Sequence, residues 1–262
     1  MNILVYAGNG TSPQSVAFTI STLKSILGHS HDVIQVDKKS ILEDPWAETC
    51  SMIVIPGGRS LPYAQDLNGE GNKRIRKFVE SGGRFLGIGA GGYYGSNFIE
   101  FEIGTPNEAS HPCELGFYPG MCKGAVFSGF NYGSEKGARA APLRFNGSFL
   151  PTLPGESRMY YNGGGWFVNA ERLPQVHIFA WYKGESALNS QTPEKAAIVQ
   201  ASVGEGTVVL TGVHPEFIAA ELDHSNPDYE GDILKALEEA EATRMDFLRA
   251  LFARIGFDVG VV

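Results

Sequence analysis

Apolar and polar residues follow two patterns along this chain. Asn2 to Ala7, Asp32 to Val36, Met52 to Ile55 and Phe85 to Ile88 are short apolar runs of strand length, bounded by turn residues. Between them the spacing becomes helical. Ser12-Pro13 caps a helix that reaches about Leu27, with Val16, Ile20, Leu23 and Leu27 on one face. Asn72 to Val79 reads as a second helix, closed by Gly82-Gly83. This alternation over the first 95 residues predicts an α/β fold with a doubly wound, mostly parallel sheet and right-handed crossovers.

The pattern changes over about 98–195. That stretch is rich in Gly, Pro and aromatic residues and carries one short strand-like piece, Val176 to Tyr182. Regular strands return at Ala196 to Ser202 and Thr207 to Gly212, joined by Gly204-Glu205-Gly206. A long helix is expected from about Asp232 to Arg254, ending before Gly256. The predicted plan is one domain over 1–262 with a decorated middle section at about 98–195.

The strand ends carry the chemistry. Arg84 to Gly95 runs an apolar strand into a tight Gly-x-Nuc-x-Gly turn, the layout of a nucleophile elbow. The nucleophile slot holds Gly89, which has no side chain to attack with. Backbone N–H groups beginning at Ala90, at the start of the next helix, would face the same point and favour an oxyanion. Val213-His214-Pro215-Glu216 follows another apolar strand, and Glu216 can orient the His214 imidazole as the acid of a triad does. Taken alone, a His-Pro-Glu is more often a turn with a structural histidine; its place after a core strand changes that weighting. Pro56-Gly57-Gly58-Arg59 is a third strand-end loop, where Gly57 and Gly58 let N–H groups approach a ligand. Open α/β sheets keep their sites at such carboxyl ends.

These segments resemble the class I glutamine amidotransferase-like fold, in which Cys, His and Glu form a triad and glycine amides bind the oxyanion. The closer resemblance is to the amidotransferase-like N-terminal domain of fungal-type biotin–protein ligases. It rests on Asn2-Ile3-Leu4-Val5-Tyr6, Leu67-Asn68-Gly69-Glu70-Gly71-Asn72, Gly91-Gly92-Tyr93-Tyr94-Gly95 and Tyr160-Tyr161-Asn162-Gly163-Gly164-Gly165. The resemblance implies a flavodoxin-like architecture and assigns the family's cysteine position to Gly89. Glutamine-hydrolysing relatives place Gln four residues after that cysteine; Tyr93 stands there in this chain. A Gly-Arg-Gly-Arg-type biotinyl-adenylate loop is also missing, so biotin transfer would belong to a longer parent chain or a partner.

Charge and cysteine content narrow the classes. With 21 Lys and Arg against 29 Asp and Glu the net charge is −8, which argues against nucleic acid and anionic membranes as partners. No apolar run approaches the roughly 20 residues that span a bilayer. Cys50, Cys113 and Cys122 are too few for a disulfide framework and read as reduced thiols of a cytoplasmic protein. No His/Cys cluster has zinc spacing, and no cofactor is implied. The resulting expectation is a non-catalytic amidotransferase-like binding or regulatory module, a pseudoenzyme holding an unknown small molecule in the elbow pocket. Two alternatives stay open. One is a cysteine-dependent hydrolase or amidotransferase inactivated by Cys-to-Gly replacement at residue 89, natural or engineered. The other is an interaction domain that docks on a biotin ligase catalytic domain.

Overall fold

The computed structural model describes residues 1–184 and 194–260. Part of the expected middle section, residues 185–193, therefore lies outside the described residues. The first half alternates as its apolar pattern requires: β1 (Asn2–Tyr6), α1 (Pro13–Leu27), β2 (Asp32–Val36), α2 (Lys38–Glu43), β3 (Cys50–Ile55), α3 (Ser60–Leu67), α4 (Glu70–Glu80), β4 (Arg84–Ile88) and α5 (Ala90–Tyr94). The middle section is built of strands: β5 (Ser96–Phe101), β6 (Ala109–Pro112), β7 (Tyr118–Gly124), β8 (Arg139–Phe145), β9 (Glu156–Tyr161), β10 (Trp166–Phe167) and β11 (Val176–Tyr182). The chain returns through β12 (Ala196–Val203) and β13 (Gly206–Thr211) and closes with α6 (Ile233–Glu239) and α7 (Glu241–Arg254).

All of these strands join one sheet, in the order β2-β1-β3-β4-β13-β12-β10-β7-β5-β6. The first five in that order run parallel, which is the α/β core expected from the alternation. β13 turns back antiparallel into β12, and the sheet divides there, with β11, β8 and β9 forming an antiparallel branch. The pleat sends alternate residues of the same strand to opposite faces. Leu4, Ile53 and Phe85 pack on the side of Tyr63, Ile75 and Phe78, from α3 and α4. Ile3, Met52 and Leu86 pack on the other side, with Leu23 and Ile26 of α1 and Leu248 and Leu251 of α7.

Two helices differ from expectation. The C-terminal helix is broken at Ala240 into α6 and α7, because its two halves cover different apolar surfaces. Leu237 of α6 packs with Tyr160 and Phe217, whereas Phe247 and Leu251 of α7 belong to the main core. The helix after the elbow is only five residues long, too short to develop a large dipole, so its contribution at the site is that of individual N–H groups. No helix among the described residues is long and apolar enough to cross a membrane.

Candidate functional site

Three adjacent parallel strands, β3, β4 and β13, end side by side and deliver the three loops that the sequence singles out. At the end of β4, Gly89 takes φ +53° and ψ −109°, a conformation open to glycine and strained for other residues. Its N–H donates to the Thr211 carbonyl at 2.8 Å, which ties the elbow to the end of β13. There the Thr211 hydroxyl donates to the Val213 carbonyl at 2.8 Å and turns the chain. The His214 N–H then donates to the Tyr160 carbonyl at 2.8 Å. Arg244 of α7, itself buried, donates to the Pro215 carbonyl at 2.6 Å and fixes the loop from behind.

His214 and Glu216 are 7% and 3% exposed, and they pair at 2.8 Å from Nδ1 to Oε1. A carboxylate accepts, so Nδ1 carries the hydrogen, and a neutral imidazole presents Nε2 as an acceptor. The imidazole is flanked edge-on by Phe217 and Tyr160, at 5.0 and 5.9 Å between centroids. Its Cε1–Nε2 edge faces two glycines. A Cβ built on Gly57 would stand 2.6 Å from Cε1, and one on Gly89 would stand 2.8 Å from both Cε1 and Nε2.

The sequence gives no sign of the third member of this network. Ser15, in the first turn of α1, donates to Glu216 Oε1 at 2.8 Å and accepts the Gly57 N–H at 2.9 Å. One hydroxyl thus joins the His-x-Glu pair to the Pro-Gly-Gly loop. The only trace in the sequence is a serine on the buried face of an amphipathic helix. The other carboxylate oxygen, Glu216 Oε2, is buried without a partner among the described residues.

A cavity of about 60 Å³ lies against Gly58, Gly89, Ala90, Tyr93, Asn162 and His214. Among the described residues, neither the Gly58 nor the Ala90 N–H has an acceptor, so both remain available where an oxyanion-type pocket is expected. Tyr93 lines the cavity, but its hydroxyl is committed to the Gly163 carbonyl at 3.1 Å, and burial pushes its ionisation well up. It clasps the elbow to the Asn162-Gly163-Gly164 loop. Tyr94 instead points into a structural network, donating to Asn72 Oδ1 at 2.8 Å while Asn72 donates to Asn68 and Glu114. Tyr160 flanks the imidazole, with its hydroxyl on the Glu135 carboxylate, and Tyr161 is core. Phe130 and Tyr132, which also line the cavity, come from a glycine-rich loop whose lack of periodicity hid them.

Comparison with known proteins bears on this geometry. The family model described as biotin-protein ligase, N terminal, matches residues 1–261. A biotin–protein ligase of Schizosaccharomyces pombe is 34% identical over 260 residues, covering 99% of this chain; the chain spans only 38% of that relative's length. An uncharacterized protein of Chlamydia muridarum is 36% identical over 219 residues, covering 82% of this chain and 80% of its own. Among solved structures, PurLQS from Thermotoga maritima superposes with a TM-score of 0.59 at 17% identity, covering 96% of this chain and 98% of the other. A putative ThuA-like protein from Bacteroides uniformis gives 0.57 at 10% identity, covering 98% and 92%. At those identities the two structures speak for the fold alone: an α/β, flavodoxin-like architecture.

Proposed function

We propose that this chain, which belongs to the biotin-protein ligase N-terminal family, is a non-catalytic small-molecule binding module built on a nucleophile elbow. One observation carries the reading: the volume a nucleophile would need is occupied. A Cβ at residue 89 would sit 2.8 Å from two atoms of the His214 ring, inside van der Waals contact. The ring is held there from behind, by Glu216 at 2.8 Å and through Glu216 by Ser15. A side chain enters that volume only if the imidazole gives way. This seat favours the module over a cysteine hydrolase disabled by a single replacement.

The remaining groups suit binding. The N–H groups of Gly58 and Ala90 are donors for a carbonyl or carboxylate oxygen at the cavity wall. Without a nucleophile no acyl-enzyme forms, which closes the covalent route of a triad. The expected result is that glutamine, activated esters and peptides turn over no faster than in buffer. An iodoacetamide-insensitive turnover lost in His214→Ala would overturn the reading and identify water as the nucleophile.

A second reading, docking on a biotin ligase catalytic domain, draws support from the Schizosaccharomyces pombe relative, most of whose length lies outside the match. The Chlamydia muridarum relative weighs the other way for a domain in the same chain, since only a fifth of it is unmatched. Sedimentation of this chain mixed with a biotin ligase catalytic domain separates the two: a stable complex supports docking, and independent sedimentation removes it.

A further inference from the structure

We infer that the cavity at Gly89 and the open groove beside it are one binding site for an organic carboxylate, divided by Phe130 and Tyr132. This rests on the binding-module reading and names the class of its ligand. The cavity, at about 60 Å³, is small. A water needs roughly 10–15 Å³ by this measure, so the space admits about four to six atoms' worth of ligand. That is enough for a carboxylate and one or two carbons. The groove alongside offers about 540 Å³. Gly58, Phe130, Tyr132, Asn162 and His214 line both spaces. Of these, Phe130 and Tyr132 are the two large side chains that come from an irregular loop, and they stand as the partition.

The partition is a short segment bracketed by two glycines. Phe130, Asn131 and Tyr132 lie between Gly129 at φ +101° and Gly133 at φ +76°. Both glycines hold left-handed conformations that side chains resist, and a Cβ on Gly133 would meet nothing within 4 Å. The chain just beyond is anchored. Glu135 accepts from the Tyr160 hydroxyl and from Asn162 at 3.3 Å, and its own N–H donates to Asp228 at 3.1 Å. Both rings pack on Phe101, at 5.3 Å for Phe130 and 6.1 Å for Tyr132, so the two spaces join into one of ligand-binding size only where the rings leave that contact.

The charge pattern selects an anion. Among the described residues, Arg59 is the only Lys or Arg lining either space, and Glu135 is the only Asp or Glu. The Glu135 carboxylate already receives two donors, whereas Arg59 makes no ion pair among the described residues and stacks on Tyr132, 4.5 Å from its ring centroid. The free N–H groups of Gly58 and Ala90 point to the same ligand chemistry. The carboxylate sits on these N–H groups; Arg59, which lines only the groove and follows Gly58 directly, faces it from the groove side, and the apolar body runs past Phe130 and Tyr132 into the groove.

Calorimetric titration of the protein with hexanoate and with hexanamide tests this. Hexanoate should bind about tenfold more tightly, the difference between a charge-assisted and a neutral contact. Arg59→Gln should reduce that preference several-fold, weakening hexanoate more than hexanamide. Phe130→Ala should speed hexanoate association. Equal binding of the two probes overturns the ligand class and leaves the binding module standing, and an undiminished carboxylate preference in Arg59→Gln overturns the part given to Arg59. Failure of both probes to bind overturns the class and the module together. An association rate unchanged in Phe130→Ala overturns the partition.

Discussion

Gly89→Ala is the most direct perturbation of the elbow, because it adds one carbon and no chemistry. Two costs follow from the geometry. The first is local: at φ +53° a Cβ meets its own backbone, with a penalty of about 1–3 kcal/mol. The second is the contact at 2.8 Å with Cε1 and Nε2 of His214. The ring must turn or withdraw, and either movement stretches its 2.8 Å bond to the buried Glu216. Weakening a buried, charge-assisted hydrogen bond costs about 1–3 kcal/mol. The two together give a loss on the order of 3 kcal/mol, read as a lower urea midpoint at unchanged slope. A double-mutant cycle separates them. In a His214→Ala background only the backbone cost remains, so the same substitution should lose about 1–2 kcal/mol less there. Equal losses in both backgrounds would show that the imidazole does not occupy the nucleophile's volume. A Gly89→Ala protein as stable as the parent would refute the strained elbow as well.

Other outcomes follow from the same packing. Ser15→Ala should lower stability by about 1–3 kcal/mol, because the Gly57 N–H loses its acceptor and Glu216 loses a donor. In the same variant the Gly57 amide should exchange with deuterium faster, and Ser15→Thr should restore part of both effects. Burial pushes the Cys50 and Cys113 thiols up to about 12, and Cys122 also well up. An unfolded thiol ionises near pH 8.5, so between about pH 9 and 12 the folded state holds more protons and stability should fall as pH rises. Iodoacetamide at pH 8 should accordingly leave all three cysteines unmodified in the folded protein and alkylate them in urea, as followed by mass spectrometry.

The parts legible in the sequence are those whose burial is decided locally. β1, β3 and β4 are covered on both faces and so read as apolar runs, and α1 announces itself by Ser12, Pro13 and one apolar stripe. The strands of the middle section do not. β7 reads Tyr-Pro-Gly-Met-Cys-Lys-Gly and β9 reads Glu-Ser-Arg-Met-Tyr-Tyr, and neither has a period of two that survives its glycine, proline or charges. They are strands because β5, β8 and β10 offer them partners, a tertiary effect that no window on the chain contains. The break at Ala240 is hidden for a related reason: both halves favour helix, and only the division of the apolar surface separates them.

The site follows the same rule. Gly57, Gly89 and His214 were visible because each ends a core strand, and parallel order then makes them neighbours. Ser15 was not, since it meets Glu216 across 201 residues and carries no motif of its own. Yet Ser15 is what makes the glycine at 89 intelligible. It holds Glu216 in place, Glu216 holds Nδ1, and the far edge of the ring is thereby pressed toward Gly57 and Gly89. A Cβ at either glycine would meet that edge, at 2.6 or 2.8 Å. The two glycines therefore act as one seat for the imidazole. Any side chain at residue 89, a thiol included, would have to displace the ring from the position that its own hydrogen bonds define.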